Sequence, residues 1–504
     1  MAQLAMKKPG PGLPRGFFAT VLAACLAAVT PACAAAGPGA PPEAAAIDRW
    51  VESRMQDERI PGVALAVVRG GEVVYLRGYG VADASGRPVT PATPFPIGSV
   101  SKSFTGLAVA QLAEAGALDL NAPVRNYLPW FRAADAQRSG AITVRHLLTH
   151  SSGFSTLDGN RHRLRASAAG DALERRARML RDARLASTPG TRHAYSNANY
   201  QTLGALIEAV TGGPYEDYVA EKIFRPLGMR SGFASTPDRL PGDMAVGHRY
   251  WFGRTRATPF LEFDRQLVAQ ALVVASAQDM ARYLLFNLGP GADTGAAVLS
   301  RAGMDAMQDP GAFGYGFGWM VRERRGVRYV GHGGQNPGYF AFVMFAPERG
   351  EGVAVLANAA EPVGRRGAEG IALGLVDLLA GAEPQVAPAG PVSRVVMLAA
   401  AAVLLLVLAS MVITLRRLRQ WRCGERALPA RRVSRLLRVV PSLAFFGVAG
   451  YVFLIAVWHR FGATLYSGLQ FAPDVGWLAL LAGGMAIAWA VVRAALLSFA
   501  FSRD

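Results

Sequence analysis

The chain has 504 residues, of which 51% are hydrophobic, and a formal net charge of +17. Residues 391–504 carry 13 Arg against 3 acidic residues, the first 34 residues have a net charge of +3, and 35–390 have a net charge of only +4. The central part therefore lacks the clustered basic residues of a nucleic-acid-binding domain. Residues 34–422 contain no Cys, which excludes a disulfide framework and a cysteine nucleophile there.

Residues 1–36 have the composition of an export signal. Lys7, Lys8 and Arg15 precede the apolar run 17–29, and Ala32-Cys33-Ala34 is similar to an A-x-A cleavage site. A retained membrane anchor and lipoprotein processing at Cys25 stay open as alternatives, but the apolar stretch is short for either. We predict a cleaved signal peptide followed by a linker at 37–43.

The pattern from 44 to 382 predicts one globular α+β domain. A helix is expected from Ala44 to Arg59, and 62–80 reads as a hairpin that turns at Gly70-Gly71. Short helices and loops dominate 117–325, and strand patterns return at 327–330, 340–345 and 353–357 before a helix near 367–380. Strands at both ends predict one antiparallel sheet flanked by helices, with an inserted helical lobe and a cleft between them.

The most informative motif of this domain is Ser99-x-x-Lys102, within FPIGSVSKSFTG (95–106). Apolar residues at helical spacing follow it, so Ser99 should lie at or just before a helix start with Lys102 one turn along. A serine hydroxyl becomes a nucleophile when a base takes its proton, and a neutral amine can be that base. The chain has 4 Lys against 49 Arg, and only Lys can be deprotonated in a protein. About 0.2 chance S-x-x-K matches are expected, so the pair alone is only suggestive.

Two further short motifs lie downstream. Tyr195-x-Asn197 precedes a helical pattern; a Tyr near a lysine could lose or share its proton and relay it, and Asn197 offers a donor and an acceptor. His332-x-Gly334 follows a predicted strand, where glycines allow close approach of a substrate. The backbone N–H groups of Ser99 and Gln335 could together form an oxyanion hole. Each of these pairs is individually common as a structural feature of a loop or strand end.

The order Ser99-x-x-Lys102, Tyr195-x-Asn197, His332-x-Gly334 resembles the serine β-lactamase and penicillin-binding protein superfamily. In particular it is similar to the class C β-lactamase-related group of D,D-peptidases, D-aminopeptidases and esterases. HLLTHSSGF (146–154), IFRPLGM (223–229) and GHGGQNPGY (331–339) support the resemblance, which covers about 44–380. The resemblance implies a β-lactamase/transpeptidase-like fold.

By that resemblance Ser99 is the acylated nucleophile, Lys102 its base partner and Tyr195 the proton relay, while Asn197, His332, Gly334 and Gln335 bind substrate. Many β-lactamases have Lys-Thr-Gly at the third motif, and here His332 stands in place of that Lys. We expect the imidazole of His332 to titrate near neutrality, whereas a lysine at this place would carry a fixed positive charge. This difference argues against avid β-lactam hydrolysis.

Other chemistries fit less well. His146 and His150 have the i, i+4 spacing of a zinc pair but lack the Glu of H-E-x-x-H, so a structural role is favoured, and we expect no metal and no cofactor. No G-x-S-x-G elbow is present in the sequence, which argues against an α/β-hydrolase. The aromatic residues Trp251, Phe252, Phe260 and Phe263 fit core packing better than a substrate pocket.

After a linker at 383–394 the composition becomes that of a membrane protein. Residues 395–415, 439–458 and 475–497 are each long and apolar enough to cross a bilayer. The loop 416–438 between the first two spans holds nine Arg and one Glu and should be cytoplasmic, which places 37–394 outside. The export signal predicts the same side.

The sequence therefore predicts a bacterial, multi-pass, membrane-tethered serine hydrolase whose catalytic domain lies on the periplasmic side. It should act through an acyl-enzyme on an amide or ester, such as a D-amino acid peptide or a small ester. The expected partners are this substrate and the membrane, not a nucleic acid. The alternative is a membrane sensor or scaffold, weakly active or inactive, that binds cell-wall fragments or β-lactams.

Overall fold

The computed structural model describes residues 44–161, 166–258, 263–289, 298–360, 367–386, 392–427 and 432–501. The predicted signal peptide 1–36, the linker 37–43 and Phe260 lie outside the described residues. The predicted first helix is confirmed as α1 (Ala44–Glu58).

One six-stranded antiparallel sheet forms the centre of the globular domain, in the order β2-β1-β11-β10-β9-β8. The predicted hairpin is confirmed as β1 and β2, with positive φ angles at Gly70 and Gly71. The first two strands therefore pair with the last ones, as predicted from the strand patterns at both ends of the domain. The strands of the sheet are β1 (Gly62–Arg69), β2 (Glu72–Gly80), β8 (Met320–Arg324), β9 (Val327–Asn336), β10 (Tyr339–Ala346) and β11 (Glu351–Ala357).

The central strands are buried on both faces, which explains their nearly continuous apolar sequences. Along β1, Ala64, Ala66 and Val68 face the core shared with the helical lobe. The alternate residues Val63, Leu65 and Val67 face a second core. This second core includes residues of α1 and of the last helix of the domain, α12 (Ala368–Leu379). Layers on both faces make the sheet a rigid support for residues at its edge.

The inserted lobe consists of short helices, as predicted, and supplies the wall opposite the sheet. Its helices and those around it are α2 (Ser101–Glu114), α3 (Ala136–Gly140), α4 (Val144–Leu148), α5 (Thr156–Asn160), α6 (Ala172–Arg178), α7 (Asn197–Thr211), α8 (Tyr215–Val219), α9 (Val268–Ala271), α10 (Ala277–Leu288) and α11 (Arg301–Gln308).

Two small sheets within 95–275 were not predicted from the sequence. A three-stranded sheet has the order β3-β7-β4, with β3 (Phe95–Pro96), β4 (Gly232–Phe233) and β7 (Val273–Ala275). A hairpin joins β5 (His248–Trp251) to β6 (Arg254–Ala257). Phe252, at the tip of this hairpin, is 64% exposed. The expectation of core packing is therefore wrong for Phe252, because a two-stranded ribbon leaves its turn outside the core.

Three helices long and apolar enough to cross a membrane follow the globular domain. They are α13 (Val392–Arg422), α14 (Arg432–Tyr451), which continues through a π-helical turn into α15 (Val457–Arg460), and α17 (Pro473–Phe501). The short helix α16 (Leu465–Phe471) lies between the second and third. The helices extend beyond the predicted spans, so much of the Arg-rich segment 416–438 is helical rather than loop.

Candidate active site

Ser99 lies in a 3-10 turn, Gly98–Val100, directly before α2, as the sequence predicts. The side chains of Ser99 and Lys102 point toward each other, with Lys102 Nζ 3.1 Å from Ser99 Oγ. The lysine also donates a hydrogen bond of 3.0 Å to the backbone oxygen of Gln270, in α9. One helical turn and one carbonyl of the neighbouring helix thus hold the amine beside the hydroxyl.

Burial determines the protonation of Lys102. Its side chain is fully buried, and this desolvation holds the pKa of the amine well below its usual range. A neutral amine has a lone pair that accepts the Ser99 O–H, while one of its own N–H groups donates to the Gln270 carbonyl. The lowered pKa favours the neutral form of the amine, which is the form that a general base requires.

Tyr195 completes this group. Enclosure in the site raises the pKa of the phenol above its ordinary value, while a hydrogen bond with the Ser99 side chain lowers it. Its ring centroid is 5.1 Å from Lys102 Nζ. The net shift is upward, so the possibility that Tyr195 loses its proton near neutrality is not supported. The phenol keeps its proton and can act as a donor beside Ser99.

Asn197 is the first residue of α7 and lines the same cleft as Ser99. Its Nδ2 donates a hydrogen bond of 3.0 Å to Oδ1 of Asn160, at the end of α5. Its Oδ1 is buried and has no hydrogen-bond partner among the described residues. A buried acceptor without a partner costs free energy, and a substrate N–H would remove that cost.

Glycines bring β9 against the turn that carries Ser99. Gly98 has a φ of +55°, and a Cβ added there would lie 2.4 Å from the Gln335 backbone nitrogen. A Cβ added to Gly334 would lie 1.9 Å from the Ile97 oxygen and 2.8 Å from the Ser99 nitrogen. Only glycine allows this approach, which places the backbones of Ser99 and Gln335 at one point of the cleft. Both residues belong to the predicted oxyanion hole.

His332 also lines the cleft, but its charge differs from the expectation. Burial and the nearby Lys102 lower the pKa of the imidazole to about 3. The prediction that His332 titrates near neutrality is therefore wrong, because the sequence gives no measure of burial. Its Nδ1 lies 2.6 Å from the Gly333 oxygen and donates to it, which leaves Nε2 to accept from the Tyr315 hydroxyl at 3.1 Å.

Several supporting residues were missed from the sequence. Gln270 acts through its backbone oxygen, which no motif reveals, and Tyr315 and Asn160 lie far from the motifs along the chain. His150, named as one of a possible zinc pair, accepts the Ser196 N–H at Nδ1, and its ring lies 4.4 Å from that of Tyr195. It therefore fixes the loop that carries the Tyr-x-Asn motif. His146 Nδ1 accepts the Thr143 N–H at the start of α4.

The cleft has a volume of about 490 Å³ and contains both polar and apolar walls. The polar wall includes Ser99, Tyr195, Asn197, His332 and Gln335, so these sequence-predicted residues come together in one cavity. Lys102 lies directly behind Ser99, and Gly334 forms the contact with its turn. The apolar wall is formed by residues of the sheet and of the C-terminal region, among them Met320, Phe340, Phe342, Met344 and Phe471.

The β-lactamase family model matches residues 47–377. The chain is 31% identical over 319 residues to penicillin-binding protein 4 of Amycolatopsis lactamdurans, covering 60% of this chain and 82% of that protein. It is 28% identical over 324 residues to protein flp of Staphylococcus aureus strain N315, covering 62% of each. The chain thus spans less than two thirds of the length of that relative.

Solved structures show the same fold in the globular domain. The octameric penicillin-binding protein homologue from Pyrococcus abyssi superposes with a TM-score of 0.57 at 28% identity, covering 71% of this chain and 82% of that one. The structure of SurE with D-Leu superposes with a TM-score of 0.51 at 27% identity, covering 62% and 71% of the two chains. The family match ends before the three long apolar helices.

Proposed function

Because the chain belongs to the β-lactamase family, whose chemistry is serine acyl transfer and hydrolysis, we propose that it is an active serine hydrolase that forms an acyl-enzyme on Ser99. The observation that carries this proposal is the contact of 3.1 Å between Ser99 Oγ and the buried Lys102 amine. A protein that only binds a ligand gains nothing from a lysine buried beside a serine, because the cost of burying the amine has no return in binding.

Acylation follows from the positions of three side chains. Ser99 Oγ attacks the carbonyl carbon of the substrate and its proton passes to Lys102 Nζ. The backbone N–H groups of Ser99 and Gln335 stabilise the resulting oxyanion, and each such donor is typically worth about 3 kcal/mol. When the bond to the leaving group breaks, Tyr195 donates a proton to it and regains one from Lys102.

Deacylation uses the same residues in reverse. A water molecule adds to the acyl carbon and gives up a proton to the Tyr195 and Lys102 pair. The bond between the carbonyl carbon and Ser99 Oγ then breaks, and the proton returns to Ser99. The products are a carboxylic acid and the regenerated enzyme, so the net reaction consumes one water.

The substrate proposed is an amide or ester with an N–H group close to the reacting carbonyl, such as a D-amino acid peptide. The acceptor Oδ1 of Asn197 supports this class, because Asn197 lines the cleft and this oxygen is unsatisfied among the described residues. The similarity to penicillin-binding proteins and to a structure that holds D-Leu also supports it. Small esters would react without using this contact.

We further propose that the three apolar helices span the membrane and that the globular domain lies outside the cytoplasm. The nine Arg of 416–438 support a cytoplasmic position for that segment. The segment between α15 and α17 contacts the globular domain, so these two must lie on the same side of the membrane. One crossing, α13, leads from the globular domain to 416–438, and a second, α14 with α15, leads back to that segment. The Arg-rich segment is then on the opposite side from the globular domain, which agrees with the charge rule.

A fluorophosphonate probe tests the hydrolase proposal. The full chain in detergent should be labelled on Ser99, and Ser99→Ala should lose the label, while Ser85→Ala, a change on an exposed loop, should keep it. Multiple turnover should then be found in a panel of D-Ala-D-Ala peptides, D-amino acid amides, nitrophenyl esters and nitrocefin. Failure to label Ser99 under conditions that label a control hydrolase would refute the proposal. Labelling without turnover on any substrate would instead favour a sensor or scaffold.

Cysteine accessibility tests the topology. Cys423 is exposed at the end of α13, within the segment proposed to be cytoplasmic. In spheroplasts, a membrane-impermeant maleimide should leave Cys423 unlabelled until the membrane is permeabilised. A cysteine introduced as Ser85→Cys in a Cys423→Ser background should be labelled without permeabilisation. The reverse pattern would show the opposite orientation.

A further inference from the structure

The segment between the second and third apolar helices, 461–472, folds onto the globular domain at two places. At the first, Asn160 Nδ2 donates a hydrogen bond of 2.8 Å to the backbone oxygen of Gly462. Gly462 has a φ of +64°, and a Cβ added there would lie 2.6 Å from the Cβ of Thr156. Only a glycine therefore allows this segment to approach α5 so closely.

At the second place, the end of the segment meets the hairpin of β5 and β6. Arg249 donates long hydrogen bonds to the backbone oxygens of Leu469 and Gln470, at 3.5 and 3.4 Å. The backbone N–H of Phe252 donates to a carboxylate oxygen of Asp474, at the start of α17, over 2.9 Å. Two separated contacts hold both ends of the segment, so its orientation on the domain is defined and not that of a loose connection.

This position brings Phe471 into the cleft that contains Ser99. Phe471 ends α16 and is half-buried, and it joins Phe340 and Phe342 of β10 in the apolar wall. The wall therefore combines residues of the family domain with a residue of the C-terminal region, which the family match does not include. A substrate group that fills the part of the cleft beside this wall would lie close to Phe471.

The same segment also determines how Asn197 is turned. A backbone carbonyl only accepts hydrogen bonds, so Asn160 must present Nδ2 to Gly462 and Oδ1 to Asn197. Asn197 must then present Nδ2 to Asn160, over 3.0 Å, and its Oδ1 stays free as an acceptor. The side-chain amide of Asn197 could otherwise be rotated to exchange Oδ1 and Nδ2. The Gly462 carbonyl, acting through Asn160, fixes it in one orientation.

We propose that residues 461–472 are part of the active site, with Phe471 selecting acyl donors that carry an apolar group and Asn160 acting as the residue that positions Asn197. This proposal rests on the hydrolase activity proposed above. It assigns the C-terminal region a role in substrate selection in addition to anchoring.

Crosslinking tests the docking itself and does not depend on activity. Thr156→Cys with Ala463→Cys, in a Cys423→Ser background with a protease site inserted after residue 387, should be joined by a short bis-maleimide that contains a disulfide. Gly462 stays in place, because a side chain there would push the segment away from α5. The two halves of the chain should then stay joined after cleavage until a reductant is added. Ser85→Cys with Ala463→Cys is the control pair and should come apart. Separation of the Thr156 and Ala463 pair after crosslinking would overturn the proposal.

Substrate selection is tested with two esters, p-nitrophenyl acetate and p-nitrophenyl phenylacetate. Phe471→Ala should lower kcat/KM about tenfold for the phenylacetate, mainly through KM, and less than twofold for the acetate, because only the larger acyl group reaches the apolar wall. The matched control is Tyr466→Ala, an aromatic residue of the same short helix that is 49% exposed and does not line the cleft. It should leave both values within twofold.

Asn160→Ala should reduce the preference for the phenylacetate as Phe471→Ala does, because it releases 461–472 from the cleft. It should also lower kcat/KM on a D-amino acid amide, whose N–H needs the Asn197 acceptor, and leave kcat on nitrophenyl acetate within twofold. A merely structural role would lower the yield or the Tm and leave the ratio of the two substrates unchanged. The proposal is overturned if wild type is labelled on Ser99 and hydrolyses both esters, yet Phe471→Ala and Tyr466→Ala behave alike. Absence of the Ser99 label in wild type would instead reject the hydrolase proposal, while the crosslink would still report on docking.

Discussion

Gly334→Ala is the most demanding test of the site geometry. The added Cβ would lie 1.9 Å from the Ile97 oxygen and 2.8 and 2.9 Å from the backbone nitrogens of Ser99 and Val100. All three atoms are backbone, so no side chain can rotate away. To reach an ordinary contact distance of about 3.4 Å, β9 and the turn that carries Ser99 must move apart by roughly 1.5 Å.

A displacement of this size should nearly abolish catalysis. Since a 1 Å misplacement can cost about 100-fold in rate, we expect kcat to fall by at least about 100-fold, equal to about 2.7 kcal/mol of transition-state stabilisation. Overpacking should also lower the free energy of unfolding by about 1–3 kcal/mol. Gly333→Ala is the comparison within β9, because its Cβ would meet only ring atoms of Phe340 and Phe342, at 3.3–3.5 Å.

The assay combines the rate of Ser99 labelling by the fluorophosphonate with nitrophenyl acetate turnover and the Tm of the full chain in detergent. Gly334→Ala should lose labelling and turnover together, and Gly333→Ala should lose less than tenfold. If Gly334→Ala kept its rate within threefold and its Tm within 1 °C of wild type, the close contact between β9 and the nucleophile turn would be refuted.

Three further predictions concern protonation. Lys102→Arg should lower kcat/KM on nitrophenyl acetate by about 10²–10⁴-fold, because Arg cannot lose a proton. Wild type should turn over at pH 7, since burial holds the pKa of Lys102 well below its usual range. Retained activity in Lys102→Arg at pH 7 would contradict the role of Lys102 as base. In steady-state kinetics on a D-amino acid amide, Tyr195→Phe should lower kcat by about 10²–10⁴-fold and change KM only a few-fold. A change confined to KM would show that Tyr195 binds substrate and does not transfer protons. The pKa of His332 is lowered to about 3, so below pH 6.5 the unfolded chain binds a proton that the folded chain does not. Between pH 6.5 and 3, wild type should therefore lose about 1.4 kcal/mol of stability per pH unit relative to His332→Gln. If the Tm values of the two proteins changed in parallel at pH 7.0, 5.5 and 4.5, the neutral, buried state of His332 would be contradicted.

The predicted α+β domain is confirmed because its signals are local or periodic. Alternating residues and Gly70-Gly71 define the first hairpin, and the apolar residues after Ser99 define α2. The two small sheets were missed because strands of two to four residues are too short to show a period. Their pairing depends on contacts across the fold.

The candidate site divides in the same way. Ser99 and Lys102 are three residues apart in one continuous turn and helix start, so their contact is local and could be predicted from spacing. Asn160, Gln270 and Tyr315 act through an amide, a carbonyl and a hydroxyl contributed by separate elements, with no motif to mark them. The charge of His332 was predicted wrongly since burial, and not residue type, sets its pKa.

The amino-acid sequence by itself determined the family resemblance, the pairing of Ser99 with Lys102 and the three apolar segments, because these depend on spacing and hydropathy along the chain. Only the tertiary structure showed that burial lowers the pKa of Lys102 and of His332, and that Phe471 reaches the cleft. Both depend on what surrounds a group in space: desolvation shifts a pKa, and a contact between Asn160 and Gly462, 302 residues apart, exists only once the chain has folded.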